Sequence, residues 1–386
     1  MAARSDIIES MPRFAKRGLA VMAAVALSLS CSRSGPVRSA RRVGVPPDLL
    51  RTMEDGPDAG MGPIQFVALR PYDRARDLEV LLFASGSPVF SGIVLPGRWV
   101  PLVSAWAEPF PVKGFAKVRP DVMESLRSGR GLLALPITLD GALLVYRSDL
   151  WDELRLPAPR SLAALREAAL HLSARRLELS KPIVSDVPAD QLFWDLAWSY
   201  AGQASPELYS YPKVHALGFI KEFGLAQEPG PEPAGEQLLL QGHSAALFCT
   251  AIEARKLLAP GSPRASTLRA ARIPSMQASG HCIYSGWCLA RPLGSDLGKV
   301  SWAGMSGERY QRYLKEHGCE PVLQDEKDGG DGVSVAFAST QFHAPPDLGE
   351  GGDEVVLGAI LDATQGSMDA EEALRRAEAR VRRRAG

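Results

Sequence analysis

The chain has 386 residues, 46% hydrophobic and 23% charged, which is enough apolar material for two folded domains and excludes extended disorder. Its 44 basic and 44 acidic side chains cancel, so no overall field draws it to nucleic acid or to an anionic surface. The one basic cluster, Arg375, Arg376, Arg380, Arg382, Arg383 and Arg384, closes a predicted helix whose negative dipole end it complements.

At the N-terminus, Arg13, Lys16 and Arg17 precede the apolar run 18–29, the pattern of an export signal. A run of about 12 residues is too short to span a bilayer, which needs about 20. Cys31 follows in LSLSC, which resembles the lipobox of bacterial lipoproteins, with Ser28 where that motif favours Leu. Residues 1–31 are therefore predicted as a signal segment, ending either in a lipidated Cys31 or in simple cleavage, and residues 32–40 as a tether. The other cysteines, Cys249, Cys282, Cys288 and Cys319, would then enter an oxidising compartment, where three complete pairings are open. A soft-metal site at His281, Cys282, Cys288, His317 and Cys319 matches no standard zinc spacing, so no metal or cofactor is expected.

Next come a predicted strand at 42–46, a helix at 47–55 opened by proline, and apolar runs of strand length at 64–69 and 78–83. Helical spacing follows at 97–107 and 121–128. Residues 132–137 form a continuous apolar run, the mark of a strand covered on both faces, and 142–146 resume it. Thr138 and Asp140 interrupt the two, placing a hydroxyl and a carboxylate between buried strands. Ser161 is a predicted N-cap, with Leu162, Leu165, Ala169 and Leu172 on one helix face. Further helices are read at 191–201, closed by Gly202, and at 214–223. Strands are expected after the turn at 241–245, at 271–274 and at 283–290. Such alternation is α/β organisation in two discontinuous lobes.

Several stretches, in their order, are similar to the family 1 extracellular solute-binding proteins, the sugar-binding type that serves ABC importers. LPITLDGALLVYRSDLWDEL resembles the family's Pro-Tyr, Asp and Tyr-Asn-Lys-Asp-Leu passage, with Arg147-Ser148 in place of Asn-Lys, and LPAPRSLAALREAALHLS resembles the helix after it. LLLQGHSAALFC, RIPSM, YSGWCLARP, SGERYQRYLKEHGCEPVLQD and GSMDAEEALRRAEARV resemble later family segments, so the likeness covers about residues 77 to 386. It implies a type II periplasmic-binding-protein fold, with lobe I from 41–138 and 272–303 and lobe II from 139–271 and 304–386. It also implies a ligand held in an interlobe cleft that closes by hinge motion. The family places a long helix between its second and third strands, where only residues 70–77 stand free here, so a reduced first lobe is expected.

Sugars present apolar faces and hydroxyl edges, which call for flat aromatics and a few carboxylate or amide groups. The resemblance puts these roles on Thr138 and Asp140, on Gln191 and Trp194 one turn apart, and on Gly286 and Trp287. Ser85 and Ser87 are placed past the end of a strand, at the usual ligand edge of an open sheet. The implied partners are a small solute, importer permease subunits and, through a lipid anchor, a membrane, for an exported monomer. A lipid-anchored sensor or interaction protein of the same fold is the alternative. An exported hydrolase has less support, since the chain has no Gly-x-Ser-x-Gly elbow, His-Glu-x-x-His helix or phosphate-binding Gly-rich loop.

Overall fold

The computed structural model describes residues 41–57, 64–69, 75–85, 90–111, 117–176, 178–226, 234–277, 279–295, 297, 304–305, 307–323, 332–348 and 352–385. The predicted export signal, Cys31, the tether and Ser87 lie outside these residues. Strand β1 (Arg41–Val45) runs into helix α1 (Pro47–Glu54), where proline takes a position whose N–H would have no partner. β2 (Ile64–Ala68), α2 (Ala75–Ala84), β3 (Gly92–Pro96) and the short α3 (Val100–Val103) follow. Residues 78–83, predicted as a strand, are therefore helix. So short an apolar run carries no periodicity that separates the two states. The expectation of a missing helix between the second and third strands rested on that reading.

After α4 (Pro120–Ser125) come β4 (Arg127–Ser128), β5 (Gly131–Leu132), β6 (Ala134–Pro136) and β7 (Ala142–Arg147). The apolar run 132–137 is thus split at Leu133, whose N–H bonds to Leu126 O. α5 (Ser148–Glu153) leads to α6 (Leu162–Arg175), which starts as predicted, with Ser161 Oγ accepting the Ala164 N–H at 3.2 Å. β8 (Ile183–Ser185), α7 (Ala189–Ala201) and α8 (Tyr211–Phe223) follow, α7 ending at Gly202 with φ 71°. The chain continues through α9 (Gly235–Gln241), β9 (Ala246–Thr250), α10 (Ala251–Leu258), β10 (Leu268–Arg272) and β11 (Gly280–Ile283). It ends with β12 (Trp287–Ala290), α11 (Glu308–Glu316), α12 (Gly332–Ala338), β13 (Thr340–His343), α13 (Gly352–Thr364) and α14 (Ala370–Ala385). The single strand expected at 283–290 is therefore two strands.

The chain divides into two compact units. The first takes residues up to Ala116, Leu126–Ile137 and Trp287–Tyr313. Its five-stranded sheet has the order β2-β1-β3-β12-β6, with β1 parallel to β2 and β3, and β12 antiparallel to β3 and β6. Val43, Val45, Ile93, Val94 and Leu95 are at most 1% exposed, so these strands are covered on both faces, as parallel sheets require.

The second unit takes Lys117–Ser125, Thr138–Gly286 and Leu314–Gly386. Its four-stranded sheet runs β10-β7-β9-β8, antiparallel except for the β8–β9 pair, and β11 pairs in parallel with β13. Leu165, Phe193, Trp198, Ile220, Phe248, Ile360 and Leu374 tie α6, α7, α8, α13 and α14 into one core against β9. The four cysteines from Cys249 onward are free and buried, and burial pushes each thiol up. Cys288 Sγ donates to Leu95 O.

Glu79 of α2 is buried, its Oε2 has no partner, and burial pushes the carboxyl up to about 8. A carboxyl raised on folding binds its proton better in the native state. Its contribution to stability is full below about pH 4.5 and lost as pH rises toward 8. Glu79→Gln is expected to flatten this fall and to raise the denaturation midpoint at pH 8–9, as read by urea titration across pH.

Candidate functional site

The polar step between β6 and β7 is built into the second unit by strand register. Ala142 pairs with Thr250 in the β7–β9 ladder, so the residues before β7 lie beside the start of α10. Asp140 Oδ1 accepts the N–H of Ala251 at 2.8 Å and that of its neighbour Gly141 at 2.8 Å. The carboxylate thus sits on the positive end of α10 and takes one of its orphan amides. Thr250 and Glu253 complete that helix start as a capping box, with Glu253 Oε2 accepting the Thr250 N–H at 2.8 Å.

Three further contacts hold residues 138–141. Tyr284 Oη donates to Thr138 O at 2.7 Å, and the Ser285 N–H donates to Asp140 O at 3.0 Å. The Leu139 N–H donates to Glu320 O at 2.7 Å, while the Glu320 carboxylate pairs with Arg255 of α10 and accepts from Ser334 Oγ. Gly286 is required at its position, because a Cβ there would collide with Thr138 O and Asp140 N. Gly141 is equally confined, by Cys282 Sγ and Phe342.

Burial dominates the electrostatics of this corner. Asp140 is 7% exposed and its carboxyl is pushed up to about 7, mainly by burial, against the lowering effect of the Ala251 and Gly141 amides. The charges of Glu253 and Glu320 push in the same upward direction. Nearby, His281 Nδ1 and His343 Nε2 are 2.9 Å apart with the rings stacked, and burial and the His281 charge push His343 down to about 4. A recess of about 450 Å³ lies beside Leu139 and Glu320, bounded also by Arg119, Asp121, Ser334 and Gln341. Arg119 is saturated there by Asp121, Phe337 O and Thr340 O.

The sequence-predicted site residues are placed as follows. Thr138, Asp140 and Gly286 come together in the second unit, around the α10 start. Gln191 and Trp194 are on α7 and buried, and Gln191 Nε2 has no partner. Trp194 packs edge-on to Phe193 and beside Trp198, with Lys213 Nζ 5.5 Å from its ring centre, and belongs to the core of its unit. Burial lowers Lys213 to about 8, offset in part by Glu207 and Glu378. Trp287 is half-buried, opens β12 in the first unit and accepts the Ile137 N–H. Ser85 follows helix α2 rather than a strand, and its hydroxyl donates to Leu82 O.

Sequence reasoning passed over Thr250, Glu253, Arg255, Tyr284 and Glu320. Thr-x-x-Glu at 250–253 is a capping-box signature legible in the sequence. Arg255–Glu320 and Tyr284–Thr138 have no local signal, since they join distant parts of the chain. Among the described residues no three His, Cys, Asp or Glu side chains gather as a metal site.

Asp140 gives a test with a defined sign. Because folding raises its carboxyl, stability falls as pH rises from about 4 to about 7. Asp140→Asn keeps an acceptor for both amides and is expected to remove that slope. Asp140→Ala leaves the Ala251 amide unmet and should cost about 1–3 kcal/mol. Thermal denaturation at pH 5 and pH 8 separates the two variants.

No protein-family model matches the chain, and no curated protein matches it in sequence. Solved structures do. The chain superimposes on an ABC transporter solute-binding protein from Thermotoga lettingae bound with alpha-D-tagatose at a TM-score of 0.70 and 17% identity, covering 90% of this chain and 99% of that one. It superimposes on the sugar-binding protein MalE of Xanthomonas citri at 0.71 and 17% identity, covering 89% and 96%. A solute-binding protein from Agrobacterium vitis with bound D-mannitol gives 0.66 at 16% identity, covering 90% and 98%. The architecture of this α/β chain is thus that of the MalE-like solute-binding proteins, the type II periplasmic-binding-protein fold.

Proposed function

We propose that this protein is an exported solute-binding protein that captures a sugar or polyol and delivers it to the membrane subunits of an ABC importer. The observation that carries this reading is a fold shared over nine-tenths of the chain with proteins solved holding tagatose and mannitol. The role is binding rather than catalysis, and the short apolar leader ending at Cys31 supports export with a lipid anchor. Among the described residues no helix is long and apolar enough to cross a membrane.

Within this reading Asp140 and Trp287 carry the ligand contacts. Both amide bonds to Asp140 fall on Oδ1, which leaves Oδ2 to accept a sugar hydroxyl. Trp287 offers a half-buried aromatic ring at the start of β12. The free amide of Gln191 is a further donor, Thr138 and Gly286 shape the loop that carries Asp140, and Trp194 supports α7 from within the core.

A thermal-shift panel of monosaccharides, oligosaccharides and polyols is expected to give at least one stabilising ligand. Trp287→Ala should weaken that ligand about tenfold or more, as read by calorimetric titration of the folded variant. Silence across the whole panel would remove the solute-capture reading.

A further inference from the structure

Register brings three strand ends together at one end of the second unit's four-stranded sheet. Ala142 at the start of β7 pairs with Thr250 at the end of β9, and Ser185 at the end of parallel β8 pairs with Phe248. Asp140, the start of α10 and the segment from Asp186 into α7 therefore lie along one sheet end. It is the carboxyl end of β8 and β9, the end at which open α/β sheets bind their ligands.

Carboxylates dominate this end. Asp140 Oδ1 accepts the Ala251 N–H at 2.8 Å, and Glu253 Oε2 accepts the Thr250 N–H at 2.8 Å. The two acids are bonded to consecutive amides and are therefore neighbours. Asp186 stands on the next helix start, accepting the Gly235 and Glu236 N–H groups at 2.7 and 2.8 Å. A helix start offers only about half a positive charge, against two carboxylates on α10. Arg255, one turn further along α10, is committed to Glu320, and the exposed Lys256 forms no ion pair with a described residue. Arg272, at the same end of the outer strand β10, donates to Gln277 O at 3.1 Å.

Two buried polar groups at this end are left unmet. Asp140 is 7% exposed, its Oδ2 accepts no hydrogen bond, and it forms no ion pair with a described residue. Gln191, in the first turn of α7, is 3% exposed and its Nε2 has no partner. Burial pushes the Asp140 carboxyl up to about 7 and Glu253 and Glu320 push it further, as expected of an acid that no cation meets. A buried carboxylate of this kind lacks both a donor and a countercharge. A sugar hydroxyl gives the donor alone, whereas an ammonium group gives both. On the reading that this protein captures a solute, we propose that the solute is an amino sugar or amino polyol whose cationic nitrogen seats on Asp140 Oδ2, in the joint field of Asp140 and Glu253.

The test is calorimetric titration of the full chain at pH 7 with parent and amino forms of the same solute. The pairs are glucose with glucosamine, galactose with galactosamine, and sorbitol with 1-amino-1-deoxysorbitol. In at least one pair the amino form is expected to bind about tenfold or more tightly than its parent. The matching N-acetyl derivative, which keeps the nitrogen and loses the charge, should lose that gain. Asp140→Asn, which keeps an acceptor for both amides, should erase the preference. Glu253→Gln, which keeps the capping box, should reduce it about threefold or more and carries the test if Asp140→Asn folds poorly. Amines that bind no tighter than their parents, or a preference undiminished in the variants, would overturn the proposal and leave solute capture standing. Silence of parents and amines alike would remove solute capture itself, and this proposal with it.

Discussion

Two backbone amides, one from the residue after Asp140 and one from the first turn of α10, converge on a single carboxylate oxygen in a nearly closed corner of the second unit. That convergence fixes where β7 begins, where α10 begins and how residues 138–141 lie against Tyr284, Ser285 and Glu320. The arrangement needs small residues at Gly141 and Gly286, because backbone and sulfur atoms occupy the space a side chain would take. A ligand-binding role for Asp140 therefore rests on the oxygen the amides leave over. The same carboxyl that would meet a solute also organises the loop presenting it.

Buried titratable groups in this chain oppose one another in their pH dependence. Asp140 and Glu79 hold their protons more tightly in the folded state and favour acid conditions. His281 and His343 are both lowered and favour conditions above their unfolded values near 6.5, because folding keeps them neutral. Lys213, in the first turn of α8 and lowered to about 8, likewise gains as pH rises toward its unfolded value. The two units thus carry internal groups whose responses partly cancel over the neutral range.

Much of the architecture was legible because it depends on local signals. Ser161 capping α6, Gly202 ending α7 and the proline opening of α1 each follow from one residue's backbone chemistry. Residues 78–83 were misread because a short apolar run buries equally well as a strand or as a helix. The site was legible only in part. Asp140 stands out as a carboxylate between apolar runs, but its partner Ala251 lies 111 residues away and is delivered by β7–β9 register, which no local pattern discloses. Trp194 illustrates the opposite difficulty, since an aromatic at helical spacing has the same sequence signature whether it meets a solute or fills a core.

The position of β12 in the first unit's sheet has a consequence for how the protein is made. This strand comes late in the chain yet lies between β3 and β6, bonded to both. Until a ribosome has released Trp287–Ala290, both neighbours present unpaired backbone edges, and the nascent chain carries an open seam through its first unit. A chain of this design cannot finish its first unit during early synthesis, so a holding chaperone has a long interval in which to engage it. Premature termination before Trp287 would release a species prone to edge-to-edge association rather than a stable half-molecule.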